Sequence, residues 1–168
     1  MSYLHEIETV VRDVVTKLEA HAITPNSEKS DVDQCWAEFS VGGMLLLRKW
    51  QDVQSIAETL TKLLIDADRR VVVLSMLYLA TLKNQFEDLN HTEDLNHAIE
   101  RINDIANRSE DKIIGIATGV ANAMLGYPPA MKWATEEWKK TQSFSSSVEA
   151  FYKNSQYLVV LEIAQGWR

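Results

Sequence analysis

The chain has 168 residues, within the usual single-domain range and long enough to bury one core. Hydrophobic residues make up 46% and charged residues 24%, which excludes a disordered chain. Its 24 acidic against 17 basic residues leave a net charge of −7, which argues against nucleic acid and against an anionic membrane as partners.

Only six glycines and three prolines punctuate the chain, so long helices are expected and no sheet. From residue 3 to about 22, Leu4, Ile7, Val10, Val11, Val14, Val15 and Leu18 recur at three- and four-residue steps, the spacing of an amphipathic helix. Residues 23–30 carry Pro25, Asn26 and Ser27 and read as a loop. Ser30 or Asp31 then caps a second helix that runs to about Trp50, with Val32, Cys35, Trp36, Phe39 and Leu46 in its apolar set. Gly42-Gly43 inside it permits a kink or the close approach of a neighbour.

A third helix, from about Asp52 to Ile65, carries Ile56, Ala57, Leu60, Leu63 and Leu64 on one face. Asp66-Ala67-Asp68 is a turn. The fourth helix, from Arg69 to about Phe86, is apolar nearly all round, the profile of a helix buried between neighbours. A polar, acidic stretch over 87–94 leads to a fifth helix ending near Asn107. Ser109-Glu110-Asp111 opens a sixth, which Gly126-Tyr127-Pro128-Pro129 stops after Leu125. A seventh helix spans about 130–141. The serine-rich turn 142–147 offers N-caps to an eighth, from Val148 to Ala164.

A shift of 42 residues, a quarter of the length, lays 51–82 over 93–124 without a gap. Leu60 then meets Ile102, Leu63 meets Ile105, and Val71-Val72 meets Ile113-Ile114. The units implied are about 1–50, 51–92, 93–127 and 128–168 of one α-helical domain. Leu63 to Leu82, with Asp66-Ala67-Asp68 in the turn and Arg70-Val71 opening a long apolar helix, resembles a HEAT repeat. Residues 105–125 are similar, with Glu110-Asp111 in the turn and Lys112-Ile113 after it. The resemblance implies an all-α fold of about eight helices, arranged as four antiparallel pairs in a short right-handed stack. It also implies binding of another protein along one face, and it does not imply catalysis. The turns lack the HEAT proline and helix six carries glycines, so a compact helical bundle is the alternative architecture.

Cys35 stands alone, which excludes an intramolecular disulfide and a multi-cysteine zinc site. The word EDLNH occurs at 87–91 and again at 93–97. That six-residue step does not place ligands on one helical face, so it reads as a duplication in a solvated loop rather than a metal site. Gly115, Gly119 and Ala123 form a small-residue stripe suited to close helix packing. No phosphate loop, dinucleotide fingerprint, zinc protease motif or nucleophile elbow occurs, so no catalytic residue, metal or cofactor is expected. The first six residues carry neither a basic nor an apolar signal region, and the longest apolar run, 71–82, falls short of the ~20 residues of a bilayer span. A cytoplasmic chain is the expectation.

Acidic groups gather at predicted turns: Glu28, Asp31 and Asp33; Asp66 and Asp68; Glu110 and Asp111. Negative charge there complements the helix dipole. Stacked in parallel, the same turns would form an acidic ridge that steers a basic protein toward it. Trp133 and Trp138, five residues apart, cannot share one helical stripe, so one belongs at a rim as a binding anchor. The leading expectation is a non-catalytic protein-interaction module, in its narrower form an acidic inhibitor or immunity-type protein masking a basic partner. A second reading is a small-molecule-binding or enzymatic bundle. It needs buried polar residues facing a cavity, for which helices four and six offer mainly Ser75, Tyr78, Thr81, Thr118 and Asn122. A third is a homo-oligomer built through Trp133, Trp138 and Trp167.

Overall fold

A computed structural model describes residues 2–48, 53–88, 92–140 and 147–168. Every regular element among the described residues is a helix: α1 (Ser2–Ala20), α2 (Lys29–Leu47), α3 (Val53–Leu63), α4 (Arg69–Thr81), α5 (Lys83–Asp88), α6 (Thr92–Arg108), α7 (Lys112–Met124), α8 (Pro128–Lys140) and α9 (Val148–Ala164). The fold is all-α, as the periodicity predicts. Trp50, Asp52, His91 and residues 142–146, which carry some of the expected boundaries, lie outside the described residues.

Local chemistry explains three of the helix starts. Asp68 caps α4 by accepting the Arg70 N–H at 3.0 Å. Asp111 caps α7 by accepting from Ile113 at 2.8 Å and Ile114 at 3.1 Å. Ser147 caps α9 through the Ala150 N–H at 3.1 Å. Each satisfies backbone donors that a helix start otherwise leaves open.

Two boundaries differ from the sequence reading. Neither Ser30 nor Asp31 caps α2. The Thr24 N–H donates to the Ser27 hydroxyl and the Ser27 N–H to the Thr24 carbonyl, closing the preceding loop on itself. The extended residue Glu28 then sits at the N-cap without a side-chain bond, and Asp31 falls within the first turn. The long fourth helix is also divided. Thr81 donates its hydroxyl back to the Leu77 carbonyl at 2.9 Å, a contact that tends to bend helices, and α5 starts separately after Leu82.

The C-termini of α7 and α9 share one device. Gly126 and Gly166 adopt φ of +91° and +100°, where a Cβ would be strained. The Gly126 N–H reaches Ala123 and the Tyr127 N–H reaches Asn122, while the Gly166 N–H reaches Ile163 and the Trp167 N–H reaches Glu162. These paired bonds make a Schellman turn at each end.

Helix α4 is the centre of the packing. Every residue from Val71 to Ala80 is buried, and the helix touches α1, α3, α6, α7 and α9. Helix α9 packs on α7 and α8 and also on α1 and α2, and the Ile23 N–H donates to the Ala164 carbonyl at 3.2 Å. The first two helices and the last therefore meet.

Helix α2 joins this centre through Tyr78. Its ring stacks on Phe39 with centroids 4.6 Å apart, and its hydroxyl donates to the Phe39 carbonyl at 2.8 Å. Gly42 makes the space, which is the close approach its sequence position allows. A Cβ there would stand 2.6 Å from Val14 Cγ2 and would overlap the Tyr78 hydroxyl.

Gly42→Ala tests this seat. Alanine favours a helix by about 1 kcal/mol, but overpacking a core costs about 1–3 kcal/mol, so net destabilisation is expected as a lower urea midpoint. Adding Tyr78→Phe removes the overlapping hydroxyl, so the double variant should lose less than the sum of the two single losses.

Candidate functional site

The turns that open α4 and α7 lie along one edge, and arginines cross it. Asp66 accepts the Arg12 guanidinium at 2.6 Å and the Asp68 N–H at 2.9 Å. Arg12 also pairs with Glu8 one helical turn away, at 2.8 Å. Asp68 accepts from Arg70 at 2.8 Å, and Arg70 reaches Glu19 of α1 at 3.0 Å. Asp111 accepts from Arg69 and from the Trp167 indole N–H, each at 3.2 Å. The Arg69 guanidinium lies 5.0 Å from the centroid of the Trp167 ring and donates to the Arg168 carbonyl, while the Arg168 guanidinium pairs with Glu19.

These contacts hold the acids ionised. Hydrogen bonds from Arg12 hold Asp66 below the usual carboxylate range, and those from Arg70 do the same for Asp68 and Glu19. Partial burial works against ionisation of Asp111. The N–H groups of Ile114, Trp167 and Ile113, with the Arg69 charge, more than offset it. Of the predicted ridge acids, Asp66, Asp68 and Asp111 are thus answered by the chain's own cations and serve as caps and seams. Glu110 is exposed beside Asp111.

Asp31 and Asp33 stand apart from this edge. Both are exposed at the start of α2, and neither makes an ion pair among the described residues. Half-buried Trp36 lies one turn further along the helix. Its ring contacts Phe39 at 5.3 Å and Tyr157 of α9 at 5.9 Å. Partial burial, followed by the Asp33 charge, pushes the Tyr157 phenol up. The Asp33 carboxylate and the Trp36 and Tyr157 rings therefore lie near one another across α2 and α9. Beside it the His21 imidazole faces Glu38 at 3.6 Å.

The tryptophans divide among several tasks. Trp133 and Trp138 are both half-buried. Trp133 lies over Gly119 and meets Phe151 edge-on at 6.1 Å, so the small-residue stripe is a packing surface at Gly119. Trp167 is held by Asp111 and Arg69 within the chain. In the first EDLNH copy, Glu87 is exposed and faces Lys83 at 3.5 Å, while residues 89–91 lie outside the described ones. The second copy opens α6, with Glu93 and Asp94 in its first turn. No group of three or more metal-ligating side chains assembles among the described residues.

Sequence reasoning missed the four arginines, because nothing local marks their partners. It named Thr118 and Asn122 but missed Asn103, their neighbour on another helix. Asn103 of α6 and Thr118 and Asn122 of α7 line one cavity of about 320 Å³. The spacing Gly115, Gly119, Asn122 places these residues on one face of α7 and is the signal that was present.

Comparison with known protein families, with curated proteins and with solved structures finds no significant match. No helix among the described residues is long and apolar enough to cross a membrane.

Asp111→Ala removes a cap and a seam together, and a loss of about 1–2 kcal/mol is expected by urea denaturation. Carboxylates depressed in the folded state give stability that is complete above their unfolded value of about 4 and is lost as pH falls through the folded values. The thermal midpoint should accordingly hold through neutral pH and drop below about pH 4. The drop should be shallower in Asp66→Asn.

Proposed function

We propose that this chain is a non-catalytic protein-binding module that takes a basic partner on the α2–α9 face. The observation that carries this reading is the division among the acids. Asp66, Asp68 and Asp111 are paired with the chain's own arginines, whereas Asp31 and Asp33 are exposed on α2, Asp33 lying one turn before Trp36 of the Trp36–Tyr157 ring pair. Carboxylates next to aromatic rings suit lysine and arginine side chains, through ion pairing and through attraction of a cation to a ring face. The net charge of −7 adds long-range steering of a basic partner.

An inhibitor or immunity-type protein masking a basic target is the narrower form of this reading. Its support is the same charge, the small size and the absence of any catalytic motif in the sequence. HEAT-like pairing of α3 with α4 and of α6 with α7 belongs to the same proposal, supported by the 42-residue period and by the contacts within each pair.

Co-purification from a native lysate, run with the wild-type chain and with Asp31→Lys/Asp33→Lys, tests the binding face. A basic protein that elutes near 0.5 M salt and is absent with the variant is the expected result, because exposed charges are screened over roughly 4–5 Å at that ionic strength. Retention of acidic proteins only, or equal retention by the variant, overturns the reading.

A further inference from the structure

Helix α2 shows two opposite stripes. Cys35, Phe39, Gly42 and Leu46 are buried and form the inner one. Asp33, Ala37, Val41, Met44 and the C-cap residue Arg48 follow one another at three- and four-residue steps on the other side, and all five are exposed. Val41 is 41% exposed and Met44 56%, one turn apart on one helix. The other strongly exposed large apolar residues among the described ones, Ile65, Met131 and Leu158, lie on separate elements. Asp33 and Arg48, at the two ends of the stripe, make no ion pair among the described residues.

The order of chemistry along this stripe points to its occupant. It runs from an acid near the start of α2, through apolar residues, to a cation at its end. Turned end for end, such a stripe is its own complement. About a two-fold axis between Ser40 and Val41, an antiparallel second α2 sets Asp33 opposite Arg48 and Ala37 opposite Met44, each pair occurring twice. Opposite charges then meet at both ends, and the small Ala37 leaves room for the long Met44. A parallel copy sets like charges together at both ends. A basic partner suits Asp33 but meets a like charge in Arg48, about 22 Å along the helix, so the stripe as a whole does not fit it.

We propose that two copies of this chain pair through the outer stripe of α2, with the two helices antiparallel. The contact is one helix on one helix, below the size of a standard interface, so the dimer is a reversible one. It goes beyond the binding of a basic partner and does not rest on it, since it is read on the purified chain alone.

Sedimentation equilibrium over about 5–500 μM tests the pairing, the range suited to a small interface. The expected mass rises from that of one chain toward that of two. Val41→Glu brings two carboxylates together at the axis and should abolish association, with an unchanged helical circular dichroism spectrum because the position is exposed. Arg48→Asp sets like charges together at both ends and should raise the dissociation constant about tenfold. Asp33→Arg should raise it similarly, although it reduces the net negative charge and by that alone favours association. Combining Asp33→Arg with Arg48→Asp makes the facing charges opposite again and should restore pairing to within about threefold of wild type. A mass of one chain at every concentration, a dimer that persists in Val41→Glu, or a double variant no better than the single ones each overturns the proposal.

Discussion

Ten consecutive buried residues on α4 set the central constraint of this structure. An α-helix that is apolar on one stripe needs one neighbour, but a helix apolar all round must be enclosed on every side. Helices α1, α3, α6 and α7 supply part of the enclosure, and Phe39 of α2 covers Tyr78. Helix α9 contributes the rest, packing on α4 while it also reaches α1 and α2. The meeting of α9 with α1 and α2 goes with how apolar α4 is. Gly42 belongs to the same constraint, because the largest side chain of α4 needs a partner surface without a Cβ.

Charge arranges itself around that centre. Acids placed at the starts of α4 and α7 by capping chemistry become the acceptors for arginines that cross the edge from α1, from α4 and from the segment after α9. Exposed pairs of this kind are individually weak, and here they act together with caps and with the stacked Arg69–Trp167 contact. Their functional consequence is subtractive. Charge held within the chain is not offered to a partner, which leaves Glu28, Asp31, Asp33 and Glu110 as the exposed acids of the predicted ridge.

What could be read from the sequence was what a few neighbouring residues decide. The caps at Asp68, Asp111 and Ser147 depend on side chains two or three positions from the N–H groups they meet, and the pattern showed them. The burial of α4 was legible from its unbroken apolar run. The start of α2 was misplaced because the Thr24–Ser27 loop decides where that helix begins. The candidate sites were less legible still. Arg12 meets Asp66 across 54 residues, and Asn103 meets Asn122 across the turn between α6 and α7. Tertiary packing alone sets such pairings, and composition carries no trace of them.

The bond from Ile23 to Ala164 and the packing of α9 on α1 and α2 also bear on how the chain folds. An open array of helix pairs can form from any unit outward and fray from its ends, because each unit needs only its neighbours. A closed arrangement joins residues far apart in sequence, and such contacts form late, after most of the loop entropy has been lost. The apolar match at a 42-residue step is a local property of the sequence, whereas α4 gains its full shelter only once α9 has arrived.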